Sequence, residues 1–311
     1  MKVASCNARG LRQNEKRRMI FAYLHKSQYD IIFMQETHSL LTDEQRWRAE
    51  WGGTAIFSHG ANSSRGVAVL FKNAFCFEIK RQLKDDHGRY ILLEILVNNM
   101  IFSLVCIYGP NIDDPRFYRL VFNQLENLQC DNVICGGDFN FVFNLSLDKQ
   151  GGAQKTNFKA RDECLSFMDH FTLVDVWRER NPLSVGYSWS SNISNIRCRL
   201  DFFLISRNLL SNVTDCYFQP ALLSDHSLTI LCLTPSFKPR GRGYWKFNNS
   251  LLHDQEYIHL IENVITSFPS DHISGDIDPS LTWEKLKFHI RHRTVKYCKQ
   301  KAYNFLGFLF I

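Results

Sequence analysis

The chain has 311 residues, enough for one large domain of about 200–250 residues and an appendage. Hydrophobic residues make up 45% and charged residues 22%, an ordinary globular balance that excludes a disordered or fibrous chain. Net charge is +6, unevenly spread: residues 1–236 hold 26 Lys+Arg against 24 Asp+Glu, the remaining 75 hold 11 against 7, so the tail carries +4 of the excess and favours an anionic partner.

The first strand is expected at Lys2–Asn7, almost directly after Met1, and no signal peptide is visible. No apolar run approaches the ~18 residues of a membrane span. The ten cysteines form no C-x-x-C, and most lie in apolar runs, as Cys106, Cys135 and Cys232 do. That usage fits reduced thiols in an intracellular protein. Residues 14–28 read as a helix with Met19, Ile20, Tyr23 and Leu24 inward and Lys16, Arg17, Arg18 and Lys26 mostly off that face. A near-continuous apolar strand follows at 30–34, leaving Glu36 at its exit. Strand, helix, strand predicts a sheet packed on helices.

Strand-like runs then occupy 54–58, 66–71, 75–81, 90–97 and 101–108, separated by turn signals such as Asn98-Asn99. Pro110 stops the last of them, so Tyr108 belongs at a strand end. A helix is expected at 115–128 with Phe117, Leu120, Val121, Leu125 and Leu128 inward. Val133-Ile134-Cys135 leads into Gly136-Gly137-Asp138-Phe139-Asn140. Here the two glycines let the backbone turn as the strand ends, and Asp138 and Asn140 share one side. A carboxylate and a carboxamide so placed suit a phosphate and its metal, although the same residues also fit a turn bonded to nearby backbone. Residues 160–171 look helical, and 173–177 form a short apolar run. Strands at 187–190 and 199–205 flank a polar loop, Ser191–Arg197, and two more are expected at 213–218 and 227–233. The polar candidates all fall at strand ends: Asn7, Glu36, Tyr108, Asp138, Asn140, Asp225 and His226. They could converge on one rim of a two-sheet sandwich flanked by helices.

Near Pro235 the composition changes. Residues 237–245 are rich in Pro, Gly and Arg and read as a linker. Helices come next at about 254–268 and 281–303. The second carries Lys285, Lys287, Arg291, Arg293, Lys296, Lys299 and Lys301, a basic face that is either solvated or tracks a nucleic-acid backbone.

The strand-end residues resemble a known superfamily. Ser5-Cys6-Asn7, Gln35-Glu36-Thr37-His38, Tyr108-Gly109-Pro110-Asn111, Gly137-Asp138-Phe139-Asn140, Tyr187-Ser188-Trp189, Arg199-Leu200-Asp201 and Ser224-Asp225-His226 occur in the order of the exonuclease–endonuclease–phosphatase superfamily, which includes exonuclease III and abasic-site endonucleases. Each motif is weak alone; seven in order are specific. The resemblance covers roughly residues 2–234, and within the superfamily the chain looks most like the endonuclease domains of LINE-type (non-LTR) retrotransposons. The segment Gly243–Leu252 resembles the stretch on the C-terminal side of the endonuclease in those polyproteins, although no Tyr-x-Asp-Asp polymerase motif is present.

The resemblance implies an α+β fold, a four-layer α/β/β/α sandwich of two mixed β-sheets face to face, helices on both outer faces, with a C-terminal helical tail. It implies an endonuclease domain over 1–235 and a linker with a basic helical tail over 236–311. The implied activity is Mg²⁺-dependent hydrolysis of a DNA phosphodiester, leaving 3′-hydroxyl and 5′-phosphate ends, with Mn²⁺ able to substitute. The implied partners are double-stranded DNA in the nucleus and, through the basic tail, the element's RNA. An abasic-site repair endonuclease, and an inactive remnant that binds nucleic acid through the tail, are the alternatives.

By resemblance the metal shell draws on Asn7, Glu36, Asp138, Asn140, Asp225 and His226, and catalysis on Tyr108, Asp138, Asn140, Asp201 and His226. The base and the acid are left open among Asp138, Tyr108 and His226. Asp201 would hold the His226 imidazole. DNA contacts are expected from Tyr108, Ser188, Asn192, Arg197 and His226, with the 191–197 loop reading DNA shape. Two departures stand out: Arg9 where many relatives have Asp or Asn, and Ser188 where Thr is commoner.

Overall fold

A computed structural model describes residues 1–61, 64–128, 131–191, 193–234, 247–268 and 279–307. The chain divides into two compact units, Met1–Phe237 and Lys238–Ile311.

The first unit holds two six-stranded mixed sheets. In spatial order the first runs Val213–Pro220, Ser227–Leu233, Lys2–Asn7, Ile31–Gln35, Val67–Phe71, Ala55–Ser58. The second runs Leu173–Asp175, Asp201–Ser206, Val133–Asp138, Met100–Tyr108, Tyr90–Val97, Glu78–Lys84. Each sheet has one parallel pair at its centre, Lys2–Asn7 with Ile31–Gln35 and Met100–Tyr108 with Val133–Asp138. Parallel neighbours need a crossover, and the helices Asn14–Lys26 and Pro115–Glu126 supply it. Both strands of such a pair therefore end at the same edge of their sheet, where α/β proteins gather their ligand-binding side chains.

Alternation along the strands builds three cores. Ile31, Phe33, Leu104, Ile134 and Phe203 pack between the sheets. Ile32 and Met34 face outward onto Phe21, Leu24, Trp47 and Trp51. On the other outer face Val105, Ile107, Cys135 and Phe202 meet Tyr118, Phe122 and Cys164. The result is the four-layer α/β/β/α sandwich implied by the resemblance.

Several details differ from the sequence reading. The first helix buries Arg17, Ile20, Phe21 and Leu24, leaving Met19 exposed. Arg17 can go inside because its guanidinium is taken up by Glu50 at 2.6 and 2.9 Å, by Asn14 Oδ1 and by the Leu11 carbonyl, as a buried charge requires. The helix Pro115–Glu126 turns Tyr118, Val121, Phe122 and Leu125 inward and leaves Leu120 exposed. Its stripe is rotated because Tyr118 donates its hydroxyl hydrogen to the Phe139 carbonyl. The strand expected at 75–81 runs from Glu78 to Lys84, while Phe75 and Phe77 stack in series with Phe71. A helix at Glu44–Trp51 was not expected. The run 173–177 breaks into a strand and the helix Val176–Arg180. The run expected as one strand at 199–205 begins at Asp201. Arg197 belongs to a separate short strand, paired to Trp189–Ser190 on one side and Lys149–Gln150 on the other.

In the second unit, helices Gln255–Ser267 and Pro279–Gly307 contact one another. A buried Tyr257–Thr294 hydroxyl pair at 2.6 Å and a bond from the Tyr297 hydroxyl to Asp254 link them. The segment expected as a linker, 237–245, lies outside the described residues. No helix among the described residues is long and apolar enough to cross a membrane.

Candidate active site

Period-two alternation carries the inner faces to the rim. Asn7 continues the side of Val3 and Ser5, Tyr108 that of Leu104 and Cys106, Asp138 that of Ile134, and Asp201 that of Phe203 and Ile205. Register aligns them across strands: Tyr108 lies opposite Asp138, and Asp138 opposite Asp201. The mouth of the sandwich therefore collects these side chains from both sheets.

The two glycines before Asp138 are not a turn. They lie inside the strand Val133–Asp138. A Cβ on Gly136 would lie 2.5 Å from the Phe203 ring, and one on Gly137, whose φ is +146°, would lie 1.9 Å from the Ile107 carbonyl oxygen. Close approach of neighbouring strands is what selects glycine here.

One half of the mouth is built around Glu36. Its backbone is left-handed at φ +49°, as are Arg9 at +49° and His38 at +55°. Such conformations in non-glycine residues persist only where surroundings hold them. Glu36 Oε1 accepts from Asn7 Nδ2 at 3.1 Å and from the Tyr108 hydroxyl at 2.8 Å. His38 Nε2 lies 3.8 Å from Oε2. The Arg89 guanidinium packs 4.8 Å above the Tyr108 ring and donates to the Gly109 carbonyl. Burial, and then the Glu36 carboxylate, push the Tyr108 phenol well above its ordinary value, so it stays a donor.

The other half is a buried chain of acid and base. His226 Nδ1 is 2.8 Å from Asp201 Oδ2, and its Nε2 lies 3.8 Å from Asp138 Oδ2. Asp138 also accepts from Asn7 Nδ2 at 3.0 Å and from the Asn140 backbone N–H at 3.0 Å. Burial opposes the charge on His226, but Asp201 and then Asp138 outweigh it and hold the imidazole raised, protonated at neutral pH. Burial, opposed by His226 and reinforced by Asp201, raises the Asp138 carboxyl out of the ordinary carboxylate range. Asn7 is the side chain that touches both halves.

Two places could hold a divalent cation. Asp138, Asp201 and His226 offer donor atoms all within 4.8 Å of one another. In this trio His226 Nδ1 is already engaged by Asp201 at 2.8 Å and its Nε2 faces Asp138 at 3.8 Å, the geometry of a hydrogen-bonded carboxylate–imidazole unit. Glu36 fits a hard cation: it is half-buried, and its Oε1 is positioned by neutral donors. Its ion pair with His38 is long, and the Lys16 ammonium acts on its carboxylate at longer range. Mg²⁺ typically takes one or two carboxylates and keeps several waters.

The remaining expectations divide. Asp225 reaches the rim, accepting from Trp189 Nε1 at 3.2 Å and facing Arg9 Nη1 at 3.8 Å. Asn140 spends its carboxamide N–H on the Gly109 carbonyl at 2.8 Å, so its backbone N–H is the group that touches Asp138. Ser188 is not a surface contact. It is 1% exposed, and its Oγ accepts from the backbone N–H groups of Leu200 and Asp201 at 2.9 and 3.0 Å, fixing Asp201 from beneath. Arg197 is exposed on the short hairpin, and Asn192 lies outside the described residues.

Three contributors were not read from the sequence. Ser224 donates to the Asn7 carbonyl at 2.7 Å and accepts from the His226 N–H at 3.1 Å, tying two strands together at the mouth. It stood inside a recognised motif but had no chemistry to suggest a role. Arg199, fully buried, holds Asp148 through two bonds at 2.7 and 3.0 Å and Asp175 at 2.7 Å, anchoring the segment that carries Asp201. Arg89 signalled nothing, because its partner is an aromatic face.

The profile of the Endonuclease/Exonuclease/phosphatase family matches residues 3–226. Over 270 residues the chain is 28% identical to a Xenopus laevis protein described as "Transposon TX1 uncharacterized 149 kDa protein", a match covering 85% of this chain and 20% of that one. The chain thus spans about a fifth of that relative's length. It is 28% identical over 258 residues to an exodeoxyribonuclease of Bacillus subtilis, covering 73% of this chain and 96% of that one. Among solved structures, the AP endonuclease LMAP from Leishmania major superposes with a TM-score of 0.64 at 20% identity, covering 74% of this chain and 86% of that one. The Xenopus laevis APE2 catalytic domain gives 0.62 at 19% identity, covering 75% and 91%. At these identities the structural likeness is one of fold.

Proposed function

The chain belongs to the endonuclease/exonuclease/phosphatase family, and from that premise we propose that it is a Mg²⁺-dependent DNA endonuclease that nicks one strand for a retrotransposon. The observation that carries this reading is the hydrogen-bonded continuity of the mouth, from Tyr108 through Glu36, Asn7 and Asp138, with His226 and Asp201 alongside.

Phosphodiester hydrolysis needs several devices acting together, since one acid–base group supplies only about 10²–10⁴-fold. Glu36 would hold the cation, with Asn7 and Tyr108 orienting its carboxylate, and the cation's charge would offset that of the scissile phosphate. Asp138, lifted by burial toward the pH at which it works, takes the proton from the attacking water. His226, kept protonated and aimed by Asp201, donates to a phosphate oxygen as negative charge builds there. Water adds to phosphorus, the bond to the 3′ oxygen breaks, that oxygen takes up a proton from solvent as it leaves, and the products are a 3′-hydroxyl and a 5′-phosphate. Tyr108, held as a phenol, is a donor and not the base.

The transposon reading, rather than abasic-site repair, is favoured by coverage. The match to the TX1 protein takes in 85% of the chain, whereas the family profile stops at residue 226 and a Dictyostelium discoideum DNA-(apurinic or apyrimidinic site) endonuclease covers 68%. A substrate of chromosomal DNA would put its work in the nucleus.

The test is nicking of supercoiled plasmid with and without EDTA, followed by a duplex carrying one abasic analogue. We expect nicking that EDTA abolishes and no strong preference for the abasic duplex. Undiminished nicking in EDTA would refute the metal dependence; a strong abasic preference would favour repair.

A further inference from the structure

Behind the Glu36 half lies a second chain of polar side chains that the chemistry above does not use. Glu44 opens the helix Glu44–Trp51, and its Oε2 lies 2.9 Å from His59 Nε2. His59 Nδ1 lies 2.9 Å from Ser39 Oγ, and Ser39 Oγ lies 3.0 Å from Thr37 Oγ1. The arrangement has the order of a carboxylate–histidine–serine triad. Ser39 is 0% exposed and its hydroxyl also meets Thr37, so it is no nucleophile.

What the chain does hold is the loop from Glu36 to Ser39. That loop has two non-glycine residues in left-handed backbone, Glu36 and His38. Its main chain is pinned on both sides. Gly10 and Leu11 donate to the carbonyls of Glu36 and Thr37, and Thr37 and His38 donate to those of Gly66 and Arg65. Gly66 itself is selected by this contact: a Cβ there would come within 2.4 Å of Thr37 Oγ1. The side chains of Thr37 and Ser39 are fully buried hydroxyls, and among the described residues His59 is the side chain that hydrogen-bonds this pair from outside the loop. His59 is fixed in turn by Glu44 and stacks 5.8 Å from the Phe57 ring.

We propose that His59, braced by Glu44, is a positioning residue that locks the Glu36–Ser39 loop through Ser39 and so sets the affinity of the Glu36 carboxylate for its divalent cation. This rests on Glu36 being the metal-holding residue. Groups that orient a metal ligand from behind change metal affinity by about 10–100-fold when lost.

The experiment titrates Mn²⁺ into the full chain without DNA, reading bound ion by electron paramagnetic resonance, with thermal melting alongside. His59→Leu, which loses both bonds, should weaken Mn²⁺ binding about tenfold or more. His59→Asn, whose amide can still hydrogen-bond Ser39 Oγ as donor or acceptor, should recover most of it. Ser39→Ala, a smaller change that keeps the fold if His59→Leu does not, should show the same weakening. A purely structural role would lower the melting temperature of all three and leave the affinity of the folded protein unchanged. A folded His59→Leu or Ser39→Ala protein that binds Mn²⁺ as tightly as the unaltered chain would overturn the proposal alone. Failure of the unaltered chain to bind Mn²⁺, or tight binding by Glu36→Gln, would overturn it together with the metal assignment.

Discussion

The two halves of the mouth solve the same problem in opposite ways. Around Glu36 the carboxylate is held by neutral donors, with the His38 imidazole 3.8 Å away and the Lys16 charge acting at longer range. Around His226 two carboxylates and one imidazole compensate one another, within 2.8 and 3.8 Å. Depth explains the difference. Asp138 and Asp201 are each 1% exposed, where an unpaired charge would be prohibitive, so the fold supplies its own counter-ion. Glu36 sits at the rim, where water can solvate it until a cation arrives. The self-neutralised half is therefore suited to moving a proton and the uncompensated half to binding a charge from outside.

That division can be broken by mutation. The largest effect should come from the buried half. His226→Ala and Asp138→Ala should each lower the nicking rate by about 10³–10⁴-fold, the range for a group that acts directly on the reacting atoms. Both proteins should stay folded by circular dichroism at 25 °C, with a melting temperature lowered more in His226→Ala, which leaves two buried carboxylates without their counter-ion, and the Mg²⁺ concentration for half-maximal activity should hardly move. A large shift in that concentration would mean the halves are one unit. An active, folded Asp138→Ala enzyme would remove Asp138 from the chemistry.

Next in size is Glu36→Gln. The amide keeps the shape and an acceptor for Asn7 and Tyr108 but loses the charge. Half-maximal activity should require about 10–100-fold more Mg²⁺, with part of the rate recovered at saturation. An unchanged Mg²⁺ requirement would move the cation to the Asp138, Asp201 and His226 trio.

The halves were not equally legible in the sequence. Asn7, Glu36, Tyr108 and Asp138 could be read together because each falls at the end of an apolar strand, whereas Asp201, third in the strand expected at 199–205, came only from the resemblance; the structure starts that strand at Asp201 and gives it the inward parity of Phe203 and Ile205. What surrounds them was hidden. The two glycines of Gly136-Gly137 read as a turn because glycine marks both turns and close strand contacts, and only the packing of Phe203 and Ile107 tells these apart. Ser188 read as a rim hydroxyl because nothing local shows that its oxygen serves two backbone N–H groups twelve and thirteen residues on. Arg17 read as lying off the buried face of its helix, and Arg199 as the first residue of a strand with no partner in view. Their burial depends on Glu50, Asp148 and Asp175, acids that lie 24 to 51 residues away. The helix Glu44–Trp51 escaped because Arg46 and Arg48 alternate with Trp47 and mask its buried face.

Arg9 crosses the division and gives its smallest test. Its backbone, left-handed at φ +49°, belongs to the Glu36 side, yet its guanidinium reaches toward Asp225 on the His226 side at 3.8 Å and is 57% exposed. An ion pair so exposed contributes about 0–1 kcal/mol, so it does not hold the halves together. Arg9→Asn should therefore leave the melting temperature nearly unchanged, because Asn accepts the left-handed backbone. Its effect should be electrostatic at the site. Removing one cation beside the rim should lower the half-saturating Mg²⁺ modestly, about twofold, and weaken DNA binding with a salt dependence shallower by about one unit of slope if Arg9 meets a phosphate. Titration of both ligands at two ionic strengths reads the two effects separately. A fall in thermal stability of several degrees with no change in either affinity would instead make Arg9 a clasp between the ends of the neighbouring strands Lys2–Asn7 and Ser227–Leu233, and the halves would have to be treated as mechanically joined.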